Sequence, residues 1–66
     1  MVKGNIEAIK AARLERGWSL SELAKQVDVT KETVARIERG LSTYPATAKK
    51  VADALGRPVA ELFTIS

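Results

Sequence analysis

Two capped helical segments stand about four residues apart near the middle of the chain, and this spacing dictates a sharp corner. Ser19-Leu20-Ser21-Glu22 has the form of a capping box, a hydroxyl three residues before a glutamate, in which each side chain satisfies the other residue's backbone amide. Trp18 and Leu23 flank it as a hydrophobic staple, and Leu23, Ala24 and Val27 form the apolar face that follows. Asp28 interrupts the run, and aspartate is one of the few non-glycine residues that tolerates left-handed backbone. Thr30 then caps a second segment, with Val29 and Val34 as its staple, Val34 and Ile37 on its inner face, and Gly40 closing it. The predicted helices cover 20–26 and 31–39. A link that short, leaving the first helix through a left-handed residue, makes the two helices cross steeply. Ala24 is small where the second helix approaches.

The same punctuation organises the rest. Asn5 caps a helix with Ile6, Ile9, Arg13 and either Ala12 or Leu14 on one face, and Gly17 ends it. Leu41 to Tyr44 reads as a loop. Pro45 opens a helix that runs to Leu55, with Ala48, Val51, Ala52 and Leu55 aligned, and Gly56 stops it. Pro58 opens a short fifth helix that turns Val59, Leu62 and Phe63 inward. No stretch shows sustained period-2 alternation. The expected fold class is therefore all-α, a compact five-helix domain spanning 1–66 with its core at about 6–63.

Composition narrows the chemistry. The 66 residues include no cysteine and no histidine, which removes disulfides, thiolate or imidazole metal sites and imidazole catalysis. A chain this size buries only about 60% of its unfolded surface, so nearly every apolar residue must serve the core, or a second copy must add surface. A bundle this small has little room for a pocket of about 300 Å³ or more, and no enzyme, cofactor or metal is expected. No apolar run approaches the ~20 residues of a membrane span, and Met1 to Lys10 lacks a signal-peptide core, so a cytoplasmic protein is expected. The net charge of +3 suits a polyanionic partner, provided the charge is concentrated.

The stretch from Ser19 to Gly40, marked by Leu23-Ala24, a turn, a hydroxyl cap, Val34, Ile37-Glu38 and Gly40, resembles the phage-repressor (lambda-repressor/Cro-like, Xre-type) helix-turn-helix family. The resemblance continues through Pro45, Val51-Ala52, Ala54-Leu55-Gly56 and Val59 to Phe63, covering roughly 6–63. It implies a DNA-binding transcription regulator whose third helix enters the major groove while the second crosses the backbone. Lys31, Glu32, Ala35, Arg36 and Arg39 lie off the Val34/Ile37 face, as that role requires. By their chemistry, Arg36 is suited to guanine O6 and N7, Lys31 to guanine or a phosphate, Glu32 to the cytosine amino group, and the methyls of Thr33 and Ala35 to thymine. Glu32 and Arg36, four apart, can equally pair with each other on a solvated face.

Phosphate contacts are expected from Arg39, from Ser19 and Ser21 at the start of the second helix, and from Ser42, Thr43, Tyr44 and Thr47 around the start of the fourth. The same hydroxyls also suit plain capping. In the family, the positions of Arg13 and Glu38 form a partly buried ion pair tying the first helix to the third. Three residues depart from the pattern: Leu20 stands where a DNA-touching glutamine is common, Leu41-Ser42-Thr43-Tyr44 lacks the usual basic residues, and Asp28 replaces the common glycine.

One reading helix covers few base pairs, so a homodimer on a two-fold-symmetric site is expected. The family resemblance implies pairing through the region of the fourth and fifth helices, which makes Arg57, Pro58, Val59, Glu61, Phe63 and Ile65 the candidate interface, the tail being equally suited to cover the domain's own core. No small-molecule ligand is expected. The rival is a protein-interaction module on the same fold, antitoxin-like or an adaptor, which would expose apolar anchors in place of Lys31, Arg36 and Arg39.

Overall fold

The computed structural model describes residues 1–65, with side chains through Thr64. The elements are β1 (Val2–Gly4), α1 (Ile6–Glu15), α2 (Leu20–Val27), α3 (Lys31–Ile37), β2 (Ser42–Thr43), α4 (Pro45–Leu55), α5 (Val59–Leu62) and β3 (Phe63–Ile65).

Local chemistry sets the helix limits. Asn5 Oδ1 accepts from the Ala8 amide (3.1 Å), Ser19 Oγ from Glu22 (3.1 Å) and Thr30 Oγ1 from Thr33 (3.2 Å). Each bond satisfies one of the amides that a helix start leaves open. The reciprocal half of the capping box is not made: the Glu22 carboxylate accepts from Gln26 Nε2 at 3.0 Å instead.

The four long helices end alike. In α2 the Val29 amide reaches the Ala24 carbonyl (3.0 Å) and the Asp28 amide reaches Lys25 (3.3 Å). This is a Schellman closure, and it recurs around Gly17, Gly40 and Gly56. The closing residue must be left-handed, and Asp28 is the one non-glycine among the described residues to accept this, at φ 58° and ψ 46°. α2 runs one residue past its expected end. α3 stops at Ile37, which puts Arg39 in the turn beyond it rather than on the helix.

The expectation of a purely helical fold needs correction. β1 pairs antiparallel with both β2 and β3 in a three-stranded sheet of order β2-β1-β3. Val2 lies opposite Thr43, Lys3 opposite both Ser42 and Thr64, and Gly4 opposite Phe63. Strands of two or three residues are too short for alternation to show. The backbone of β1 runs close over the last turn of α3: a Cβ on Gly4 would lie 2.7 Å from Ile9 Cδ1 and 2.9 Å from the Ile37 carbonyl oxygen.

Beneath the sheet and between the helices, Ile9, Leu23, Val34, Val51 and Leu62 are fully enclosed, and Ala12, Ala24, Ala48, Ala52 and Leu55 fill the gaps. On α1, Ala12 rather than Leu14 takes the inner position, and Ile6 lies outside the core, exposed near Gly40. Among the described residues, no helix is long and apolar enough to cross a membrane.

Candidate nucleic-acid interface

α3 divides cleanly. Val34 and Ile37 are buried, Thr33 and Ala35 half-buried, and Lys31, Glu32 and Arg36 exposed. Among the described residues, Lys31, Glu32, Arg36 and Arg39 form no ion pair or side-chain hydrogen bond. The i,i+4 pairing open to Glu32 and Arg36 is therefore not made. Several cations elsewhere are engaged, Lys49 with Asp53 (2.9 Å), Arg57 with Glu15 (3.1 Å), and the Arg16 guanidinium over the Trp18 ring at 5.4 Å, while Lys3, Lys10, Lys25 and Lys50 are unpaired as well among the described residues. Thr33 is committed in part to its own helix, its hydroxyl sharing a 2.9 Å hydrogen bond with Thr30.

α4 starts differently from its neighbours. Its N-cap, Tyr44, provides no side-chain hydrogen bond, proline occupies the first turn, and no acidic residue follows. The first-turn amides thus lack intrahelical acceptors and present positive potential. α2 and α3, by contrast, carry hydroxyl caps and a first-turn glutamate. The α4 start and the outer side of α3 meet in one cleft of about 390 Å³, where Thr33 and Arg36 face Ser42, Tyr44 and Thr47. Met1 also lines it, brought there by the pairing of β1 with β2, and no local sequence signal marks that residue.

Thr43 lines the same cleft, but at 8% exposure and opposite Val2 its side chain presents little surface there. Other expected site residues fall elsewhere. Ser19 and Ser21 are exposed at the start of α2, with the Ser19 hydroxyl engaged in capping. Phe63 is buried in the protein's own core beside Leu62, so it is unavailable to a second copy. The side chain of Ile65 lies outside the described residues. Pro58 and Glu61 are exposed and Val59 is half-buried, while Arg57 is held between Glu15 and Glu61.

A buried fork fixes the attitude of α3. Arg13 Nε donates to Glu38 Oε2 at 2.6 Å, Nη2 to Oε1 at 3.2 Å, and Nη1 to the Trp18 carbonyl at 2.7 Å. Both charged side chains are only 10% exposed. One guanidinium thus links α1 to the segment entering α2 and to the residue just after α3. A planar donor fork is suited to such a join, and the point charge of lysine is not.

A family model described as helix-turn-helix matches residues 9–62, which include all of α2 and α3 and the turn between them. The chain belongs to the Xre-type helix-turn-helix family. Among helix-turn-helix relatives, the HTH-type transcriptional regulator SinR of Bacillus subtilis (strain 168) is 48% identical over 40 residues, 61% of this chain and 36% of SinR. The match thus takes up little more than a third of that relative's length. Among solved structures, a hypothetical transcription factor, NHTF, from Neisseria is similar at a TM-score of 0.78 and 28% identity, over 85% of this chain and 64% of the other. The clp gene regulator ClgR from C. glutamicum is similar at 0.71 and 30% identity, over 83% and 73% respectively. These helix-turn-helix relatives are named as regulators of transcription, not as enzymes.

Proposed function

We propose that the protein is a sequence-specific, double-stranded-DNA-binding transcription regulator that reads the major groove with α3. The carrying observation is the set of unpaired charged side chains on the outer side of α3, continuous through one cleft with the uncapped start of α4. A helix fits the roughly 12 Å major groove, and an unengaged guanidinium is ready to bind guanine O6 and N7. Arg36 is the principal base-reading residue, with Lys31, Glu32 and the methyls of Thr33 and Ala35 beside it. Ser42, Tyr44, Thr47 and the first-turn amides of α4 take backbone phosphates, and Arg39, Ser19 and Ser21 add to them.

The protein acts as a homodimer on a palindromic operator, its reading helices about 34–36 Å apart. Arg57, Pro58, Val59 and Glu61 form the surface for the second copy. It works in the cytoplasm as a repressor, since occupying an operator is enough to exclude other proteins from it, and it needs no cofactor or small ligand. The relatives' names support transcription regulation. An adaptor or antitoxin-like role is disfavoured, because among the described residues the exposed large apolar side chains are Met1, Ile6, Leu14, Leu41 and Tyr44, none of them on α3.

A mobility-shift titration with duplex DNA across a range of salt concentrations tests this. Binding should weaken with a log-log slope of roughly −4 to −8 for a dimer, as displaced counterions require. Affinity that ignores salt would contradict it.

A further inference from the structure

The outer surface of the sheet carries a feature that the helix-turn-helix match reaches only at Ser42. Strand alternation turns Val2 and Thr43 inward, so their neighbours Lys3 and Ser42 face out. Lys3 stands in register with Ser42 on one side and Thr64 on the other, and all three are exposed. The result is a hydroxyl–ammonium–hydroxyl row across three strands, about 10 Å from end to end at the usual strand spacing. The Lys3 ammonium makes no ion pair or hydrogen bond among the described residues, and no acidic residue lies in any of the three strands. Cross-strand neighbours stand about 5 Å apart at Cβ, so the long Lys3 ammonium can share an anion with the hydroxyl on either side.

The row also adjoins the reading cleft. Ser42 belongs to both, since it lines the cleft with Arg36 and Thr47 and pairs across to Lys3. Lys3 and Thr64 lie outside the matched residues 9–62, and the row joins the first and last described strands, β1 and β3, to β2, the strand that follows α3, with β1 in the middle.

We infer that the Ser42–Lys3–Thr64 row is a second phosphate-binding strip, which grips the DNA backbone beside the segment that α3 reads. This rests on the proposed reading of the cleft, and it extends the footprint onto the sheet. The occupant is a backbone phosphate because the strip provides one full positive charge and hydroxyl donors, with no apolar anchor and no base-reading fork. Its contribution is independent of sequence and sensitive to salt.

The test compares Lys3→Gln with Lys10→Gln, another exposed and unpaired lysine, on α1. Duplex affinity is measured from low to high salt for an operator and for unrelated DNA. For each bound protomer, Lys3→Gln should reduce the steepness of the salt slope by about 0.9 and weaken binding about eight-fold at 0.1 M salt, equally on both DNAs. Lys3→Arg should restore the slope, Lys10→Gln should leave it unchanged, and melting temperatures should stay constant because Lys3 is exposed. A slope unchanged in Lys3→Gln, while the unmodified protein binds DNA, overturns the strip alone. An unmodified protein that binds no duplex overturns both the strip and the reading of the cleft.

Discussion

Arg13→Met should destabilise the protein far more than the loss of one surface charge. The methionine keeps most of the side chain's apolar stem in place while removing three donors at once, two to Glu38 and one to the Trp18 carbonyl. The Glu38 carboxylate, 10% exposed, is then left without its counter-ion. Breaking a buried pair from one side costs about 3–5 kcal/mol, and an orphaned carbonyl about 1–3 kcal/mol. The residual exposure of Glu38 admits water and offsets part of both penalties, so a total of about 3 kcal/mol is expected, below their full sum. In a domain this small, about 4–8 °C accompanies each kcal/mol, so the melting temperature should drop by roughly 12–24 °C. The assay is thermal unfolding by circular dichroism, with Arg13→Met/Glu38→Leu measured alongside. The double variant should recover more than half of the loss, because it buries no unpaired charge. A single variant within about 1 kcal/mol of the parent, the range of an exposed pair, would refute the claim that this fork fixes α3.

Gly4→Ala should cost about 1–3 kcal/mol in urea unfolding, because the added methyl meets Ile9 and the Ile37 carbonyl at less than contact distance. Asp28→Gly should stabilise by up to about 1 kcal/mol and Asp28→Val should destabilise, since φ of 58° is strained for a side chain and worst for a β-branched one. Thr30→Ala should lower stability by about 1 kcal/mol by removing the cap on α3. Ser42→Ala, in a mobility shift, should weaken binding to all DNA sequences alike, as a phosphate contact must.

What could be read from sequence depended on how local each interaction is. The caps at Asn5, Ser19 and Thr30 and the left-handed closures at Gly17, Asp28, Gly40 and Gly56 each involve residues within about one turn, so composition alone places them. The sheet joins residues near positions 2, 43 and 64, and nothing local announces such a pairing. For that reason Thr43 read as a surface residue and is buried, while Phe63, which read both as core and as interface, belongs to the core. Nothing local marks Gly4 as the point where a strand passes over α3. Arg13 and Glu38 stand 25 residues apart and came together only through the family resemblance. Spacing left Glu32 and Arg36 free to pair or not, and only the side-chain geometry shows them apart. The polar stripe of α3 followed from periodicity, whereas its continuity with the α4 start needed the tertiary fold.

Selection of bound sequences from a random duplex pool, run with the unmodified protein and with Arg36→Ala, puts the reading role of α3 most directly at risk. The unmodified protein should return a two-fold-symmetric consensus with half-sites one helical turn apart, and Arg36→Ala should lose preference at one base pair in each half. An identical consensus from both proteins would show that Arg36 does not read the groove.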